Sequence, residues 1–296
     1  MTGRDLRFWL EARLAALGLR ILQPLGPVAA SNLGGLVARS LGPWLPVSRV
    51  ADANLRLALP ALDAAGRRRV IRGVWDNLGR TVAELPHVAA LQRTSEGPGW
   101  EIEGDAVARS IVARGGPAIF FSGHLGNWEM MPLVAGAVGI PLASFYRAAT
   151  NPIVDRMIVD LRQRAAGRPV PQFAKGAAGA RGALALLRQG GMLGMLVDQK
   201  MNDGIPARLF GHLAWTAPAA AAFARRFGCP LVPARVVRLG PARFRVICEP
   251  PLPLPDTGDR QQDIARLTQA MNDCLERWIR DRPEQWLWLH RRWPKQ

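Results

Sequence analysis

The stretch that most constrains the fold is residues 118–132, AIFFSGHLGNWEMMP. Its first four residues are continuously apolar, as in a strand that is buried on both faces. The glycines and Asn127 that follow are typical of a tight loop before a helix. We therefore predict a strand, a loop and a helix in succession, with His124 in the loop and Glu129 in the first helical turn.

His124 and Glu129 are five positions apart. On one continuous helix this spacing would turn the two side chains away from each other, but a loop at His124 allows them to meet. A carboxylate that binds one imidazole nitrogen makes the other nitrogen a stronger general base. The same spacing also fits a loop histidine beside a glutamate that only complements the helix dipole. The pair is a candidate catalytic dyad.

Composition favours one large α/β domain, or such a domain with a small N-terminal appendage, because 49% of the 296 residues are hydrophobic. We predict a helical membrane-anchoring region over 1–48 and an α/β domain over 49–296. The formal charge of +16 suits phosphate-bearing partners, whether nucleic acid, anionic lipid or an acidic protein. Part of it could equally reflect a compositional preference for arginine over lysine. The three cysteines lack metal or disulfide spacing, which predicts neither kind of site.

Apolar residues recur at helical spacing near the N-terminus, flanked by arginines. Prolines and glycines dilute the uncharged run over 21–38, so the sequence argues against a clean transmembrane span, which needs roughly 20 predominantly apolar residues. A basic amphipathic element lying in the membrane interface fits better. An ordinary helical pair packed on the core is the alternative.

Apolar runs separated by helical patterns predict a mainly parallel sheet flanked by helices. The predicted strands lie near 100–102, 118–121, 141–146, 192–197, 230–237 and 244–248. Ligands bind beyond the carboxyl ends of such strands, and His124, Arg147 and Asp198 fall just past strand ends. The sequence has no GxGxxG, Walker or GxSxG motif, which disfavours dinucleotide, nucleotide and α/β-hydrolase chemistry.

Three further segments carry expectations. A helix from about Arg67 to Pro86 has an apolar stripe predicted to face the core, with Val74 and Val82 among its members. A loop is expected after Asp198, and Thr216 is expected to cap the next helix. The tail 283–293 interleaves tryptophan with arginine, which suits either a membrane interface or a packed C-terminal segment.

Four stretches stand out together: SGHLGNWEMM (122–131), FYR with NPIVD and LRQR (145–164), MLVDQ with a downstream FG (192–211), and PEQWLWLHRRW (283–293). In this order they resemble the bacterial lipid A biosynthesis acyltransferase family, the late lauroyl- or myristoyl-transferring enzymes. The likeness covers nearly the whole chain. It implies a fold like that of the glycerol-phosphate acyltransferases.

The resemblance also implies roles for particular residues. His124 would be the base that deprotonates the acceptor hydroxyl, and Glu129 would orient it. Arg162 and Arg164 match the family's R-x-R and would contact phosphate or stabilise an oxyanion. The other residues carried over as substrate-binding are Asn127, Trp128, Arg147, Asp198 and Gln199.

By the same resemblance, the donor would be an acyl carrier protein thioester and the acceptor an anionic glycolipid, a lipid A precursor. The chemistry would occur at the cytoplasmic face of the inner membrane, with no cofactor, metal or nucleic acid and no covalent acyl-enzyme. Two alternatives stand: the same chemistry on another membrane glycolipid or phospholipid, and a catalytically degenerate basic membrane-binding protein.

Overall fold

The computed structural model describes residues 3–294. The strands are β1 (Gly99–Glu103), β2 (Ala118–Ser122), β3 (Leu142–Tyr146), β4 (Gln172–Ala174), β5 (Met192–Leu196), β6 (Lys200–Leu209), β7 (His212–Thr216), β8 (Leu231–Gly240) and β9 (Arg243–Cys248). The helices are α1 (Gly3–Leu22), α2 (Gly26–Leu41), α3 (Ser48–Ala58), α4 (Ala64–Glu84), α5 (Asp105–Arg114), α6 (Met130–Ala137), α7 (Pro152–Ala166), α8 (Ala177–Arg188), α9 (Ala219–Phe227) and α10 (Arg260–Asp281).

Seven strands form one sheet in the order β1-β9-β8-β2-β5-β3-β4. Every neighbouring pair in it is parallel except β8 and β9, which are antiparallel. Helices cover the sheet, so the predicted mainly parallel α/β fold is confirmed. The six predicted strands all exist, and β4 is an additional short edge strand.

The core is divided by the sheet. All five residues of β2 are buried. Because side chains alternate along a strand, Ile119 and Phe121 pack into the cluster that contains α9 and α10, while Phe120 packs into the one that contains α5. Phe121 stacks on Trp278 of α10 with ring centroids 5.9 Å apart. The continuous apolar run is therefore explained by burial on both faces.

Two local expectations are wrong. The loop expected after Asp198 is instead an antiparallel hairpin of β6 and β7, whose pairing is irregular between Lys200 and Ile205. Cross-strand pairing overrides the turn-forming residues in this segment. Thr216 does not cap a helix, because its hydroxyl donates to the carbonyl of Ala214. Asn151, by contrast, caps α7 as expected.

The buried face of α4 also differs from the predicted stripe. Val82 is 49% exposed, whereas Asn77, Thr81 and Glu84 are buried. These three residues are spaced four and three apart, so they share one face of the helix. That face is polar and points inward. A prediction based on hydrophobic periodicity therefore assigned the wrong face of α4 to the core.

The N-terminal helices leave a large apolar surface uncovered. α2 packs closely on α4, since a Cβ added at Gly34 would lie 2.4 Å from the carbonyl oxygen of Gly79. The helical stretch Gly3–Trp44 is long and apolar enough to cross a membrane by length and composition, and only 11% of its most apolar window is buried. Its exposed large apolar residues include Leu10, Leu14, Leu17, Ile21, Leu33, Leu36, Val37, Leu41 and Trp44. A short 3-10 turn at Gln23–Leu25 accommodates Pro24, and Pro27 lies in the first turn of α2, where proline is tolerated.

Candidate active site

The register of two neighbouring strands creates the centre of the site. β2 and β5 are parallel, and Ser122 is paired with Leu196. His124 and Asp198 each lie two residues past this pair, so both emerge side by side at the carboxyl edge of the sheet. The expectation that His124 and Asp198 follow strand ends is confirmed. The register of β2 and β5 also brings the two side chains next to each other.

Asp198 binds His124 through both of its carboxylate oxygens. Oδ1 is 2.8 Å from the ring Nδ1 of His124, and Oδ2 accepts the backbone N–H of His124 at 2.8 Å. A carboxylate only accepts, so Nδ1 carries the proton and Nε2 presents a lone pair. Asp198 is fully buried, while the His124 side chain is 15% exposed. The geometry is that of a general base held in one tautomer.

The ionisation of this pair follows from its surroundings. Burial lowers the pKa of His124, but the charge and hydrogen bond of Asp198 and the charge of Glu129 outweigh it, so the pKa lies above its ordinary value. Burial raises the pKa of Asp198, yet the charge and hydrogen bond of His124 bring it well below its usual range. Asp198 is therefore a carboxylate at neutral pH.

Glu129 has a different partner from the one predicted. Its carboxylate binds Arg162 of α7 side-on, with Nε at 2.8 Å and Nη2 at 2.7 Å. Within residues 3–294, the ring N–H of His124 donates to the carboxylate of Asp198 and not to that of Glu129. The expected orienting role of Glu129 is corrected on this geometry. The reason is non-local, because Asp198 arrives from the adjacent strand.

Trp128 contacts both His124 and the Glu129–Arg162 ion pair. Its indole Nε1 donates to Glu129 at 3.0 Å, and its ring meets the ring of His124 edge-on with centroids 5.0 Å apart. The Arg162 guanidinium also lies over the ring of Tyr146, 5.5 Å from its centroid. Together these contacts hold the side chains of Trp128, Glu129 and Arg162 in place beside His124.

A cleft lies beside these residues, with a polar and an apolar side. Its polar lining includes Glu129 and Arg162, and its apolar lining includes Phe120, Met131, Leu142, Phe145, Met195 and Leu196. A second, apolar cavity is lined by residues of α5 and α6 and shares Phe120, Met131 and Leu142 with the cleft. The arrangement places apolar side chains next to the Glu129–Arg162 pair.

The C-terminal segment forms the back wall of the site. Trp286 is fully buried, and its Nε1 donates to Oδ2 of Asp198 at 2.7 Å. Its neighbours bind the loop backbone, since the carbonyl of Gln285 accepts from Gly126 N and Leu287 N donates to the carbonyl of His124. Trp288 and Trp293 are buried behind Trp286. The tail is thus a packed segment and not a membrane-facing one.

The remaining predicted residues divide into buried and exposed groups. Asn127 is fully buried, donating to Glu84 at 2.8 Å and accepting from the backbone N–H of Glu129. Its side chain lies in the scaffold of the loop and not in the cleft. Arg147 and Arg164 are exposed, and Gln199 is half-buried beside Asp198. Among residues 3–294, no group of His, Cys, Asp and Glu could hold a metal ion.

Two contributors were missed from the sequence. Trp286 was noticed only as part of an aromatic and basic tail, and Glu84 only as the end of a helix. The one available signal for Glu84 is its spacing from Asn77 and Thr81, which gives a polar stripe on an otherwise apolar helix. Nothing local identifies Trp286, because its partner Asp198 is 88 residues away.

The fold and site define an α/β protein with a hydrogen-bonded His124–Asp198 pair at the carboxyl edge of a mainly parallel sheet. A partly apolar cleft lined by Trp128, Glu129 and Arg162 lies nearby. The chain matches the model of the bacterial lipid A biosynthesis acyltransferase family over residues 3–295. It belongs to this family, and it is an acyltransferase of lipid A biosynthesis in the general sense that the family defines. No match is found among curated proteins. Family membership and the apolar N-terminal helix both point to association with a membrane.

Proposed function

We propose that the chain transfers a fatty acyl chain from an acyl carrier protein thioester to a hydroxyl of a phosphorylated lipid A precursor. The observation that carries the proposal is the His124–Asp198 pair. Asp198 holds Nδ1 at 2.8 Å and leaves Nε2 free to accept a proton. An alcohol is a poor nucleophile until its proton is removed, and a positioned imidazole supplies that function near neutral pH.

The step balances without an acyl-enzyme. The acceptor hydroxyl oxygen attacks the thioester carbonyl carbon while its proton passes to Nε2 of His124. The tetrahedral oxyanion then collapses, the carbon–sulfur bond breaks, and Nε2–H returns the proton to the departing thiolate. Asp198 stabilises the imidazolium formed between the two transfers.

The Glu129–Arg162 pair supplies a fixed positive group beside the base. Glu129 engages Nε and Nη2 of Arg162, and among the hydrogen bonds of residues 3–294 the Nη1 group has no partner. A guanidinium held in this way suits a thioester oxyanion or an acceptor phosphate. The exposed Arg147 and Arg164 would bind the charged headgroup of the acceptor, and Gln199 would donate a hydrogen bond to it. Trp128 lines the cleft.

The cleft and the apolar cavity beside it suit the acyl chain. Most of the lining residues are apolar, and the charged residues among them are Glu129 and Arg162, which pair with each other. Transfer of apolar chain surface from water is favourable by roughly 25 cal/mol per Å². This arrangement supports a fatty acyl donor over a small polar one.

The enzyme is proposed to act at the cytoplasmic face of the inner membrane, where the N-terminal helices meet lipid. Leu14, Leu17 and Ile21 of α1 are each more than half exposed. Replacing all three by Asn should weaken binding to anionic phospholipid vesicles at least about tenfold, since each buried aliphatic side chain contributes roughly 1.5–3 kcal/mol. Exposed Leu213 and Leu239 serve as the control pair, and equal binding of the α1 variant and the control would contradict this placement.

The catalytic proposal is tested with purified protein, an acyl carrier protein thioester and a lipid A precursor, with mass spectrometry of the product. His124→Ala should lower kcat by about 10²–10⁴-fold, the usual contribution of a general base. His212→Ala is the matched control, because His212 is exposed on β7. Wild-type turnover by His124→Ala would remove the mechanism. Product only with another glycolipid or a phospholipid would reassign the acceptor, and no product with any acceptor would favour a degenerate protein.

A further inference from the structure

The loop that carries His124 and Glu129 is held from behind by a buried polar cluster on α4. The carbonyl of Gly126 accepts from Asn77 at 2.9 Å and from Thr81 at 3.2 Å. One turn further along the same face, Glu84 accepts from the side chain of Asn127 at 2.8 Å. The loop therefore meets three polar side chains of one helix face.

Glu84 is the junction of this cluster. It is fully buried, and its two oxygens have different partners. Oε1 accepts from Ser31 of α2 at 2.6 Å, from Arg238 of β8 and from the backbone N–H of Ala242 at 3.1 Å. Oε2 accepts only from Asn127 among the hydrogen bonds that involve residues 3–294. One oxygen thus faces the scaffold and the other faces the catalytic loop.

Arg238 compensates the charge and ties the cluster together. Its guanidinium binds Asn77 at 2.7 Å and Thr81 at 3.1 Å in addition to Glu84. A buried carboxylate is costly unless it is paired and its remaining lone pairs are satisfied, and both conditions hold here. The cluster is therefore rigid enough to fix the position of whatever it binds.

We propose that Glu84 is a positioning residue for catalysis, which sets the geometry of the His124 loop through Asn127. Asn127 transmits the constraint, because its Oδ1 accepts the backbone N–H of Glu129 at 3.1 Å. Glu129 in turn fixes Arg162. Loss of the Glu84–Asn127 hydrogen bond should loosen the loop at Asn127 and Glu129, while Asn77 and Thr81 still bind the Gly126 carbonyl.

The two oxygens make the test specific. In Glu84→Gln, three donors surround the Oε1 position, so the amide oxygen takes that place. The amide nitrogen then faces the Nδ2 of Asn127, and two donors meet without an acceptor. Asn127→Asp produces the opposite conflict, with two carboxylates in contact. The double variant E84Q/N127D restores one donor and one acceptor and keeps the total charge.

We expect each single variant to lower kcat by roughly 10²-fold, the effect of about 1 Å of misplacement, with a smaller change in KM. The double variant should recover to within about fivefold of the wild type, a coupling that independent sites do not show. Ser31→Ala is the matched control, because it removes a hydrogen bond to the scaffold-facing oxygen, and it should change kcat less than about threefold. Asn127→Ala is the substitute if Glu84→Gln does not fold.

The kinetic measurement rests on the proposed function, so amide hydrogen exchange of peptide 122–131 is measured in parallel. Faster exchange in both single variants and wild-type exchange in the double variant would support the proposal even if acyl transfer from acyl carrier protein failed. A folded Glu84→Gln or Asn127→Ala variant with wild-type kcat and exchange would overturn it. So would a double variant no better than the singles, or a Ser31→Ala variant as impaired as Glu84→Gln.

Discussion

Asp198→Asn should inactivate the site by imposing the wrong tautomer on His124. Oδ2 of Asp198 accepts from two N–H groups, the backbone of His124 at 2.8 Å and Trp286 at 2.7 Å. An asparagine oxygen would take this position, because an amide nitrogen there would face two donors. The amide N–H₂ would then donate to Nδ1 of His124, which moves the ring proton to Nε2. A protonated Nε2 cannot accept the proton of the acceptor hydroxyl.

The expected loss is that of the general base, about 10²–10⁴-fold in kcat, or about 3–5 kcal/mol of transition-state stabilisation. The pH profile should change as well. Burial lowers the pKa of His124, while the charge and hydrogen bond of Asp198, together with the charge of Glu129, bring it above its ordinary value. Neutral imidazole is the active form, so activity rises as pH increases through this pKa. Without the Asp198 charge, the acidic limb of any residual activity should move to lower pH.

The assay is the initial rate of acyl transfer across pH, with folding checked by circular dichroism. Asp160→Asn is the matched control, since it makes the same change at an exposed position of α7. Glu129→Gln should also lower kcat, because it weakens the pair with Arg162, but it should move the acidic limb less than Asp198→Asn does. An Asp198→Asn variant within about twofold of wild type, or a larger limb shift in Glu129→Gln, would refute the assignment of Asp198 as the partner of His124.

Three further substitutions test neighbouring contacts. Trp286→Phe removes one N–H donor to the Asp198 carboxylate and should lower kcat about tenfold, since such charged hydrogen bonds contribute roughly 1.5–3 kcal/mol; an unchanged kcat would deny the indole a role. Arg162→Lys keeps charge but loses the two-point contact with Glu129, so its kcat should fall about tenfold or more, and further than in Arg164→Lys; the reverse order would contradict this. Gly126→Ala should lower Tm by several degrees more than Gly139→Ala: both glycines have positive φ, but only a Cβ at 126 would clash, with the Val236 carbonyl oxygen at 2.4 Å. Equal Tm values would contradict this close contact.

Several features could be predicted from the sequence because they depend on local chemistry. A buried parallel strand is apolar on both faces, which made residues 118–121 readable as β2. Asn151 before a proline marked the start of α7 correctly. The position of His124 just past a strand end followed from the same kind of pattern. Family membership was also accessible, since the four motifs occur in order along the chain.

The partner of His124 was decided only by tertiary structure. Glu129 is close in sequence and was predicted to hold the imidazole, but the register of β2 and β5 brings Asp198 to that position. The polar face of α4 can point inward because Arg238 is buried against it. Arg238 and its partner Glu84 are 154 residues apart in the sequence. Periodicity along one segment encodes which side chains share a face. It does not encode which distant segment that face will meet, because the register between strands and the packing of helices are set by the whole core.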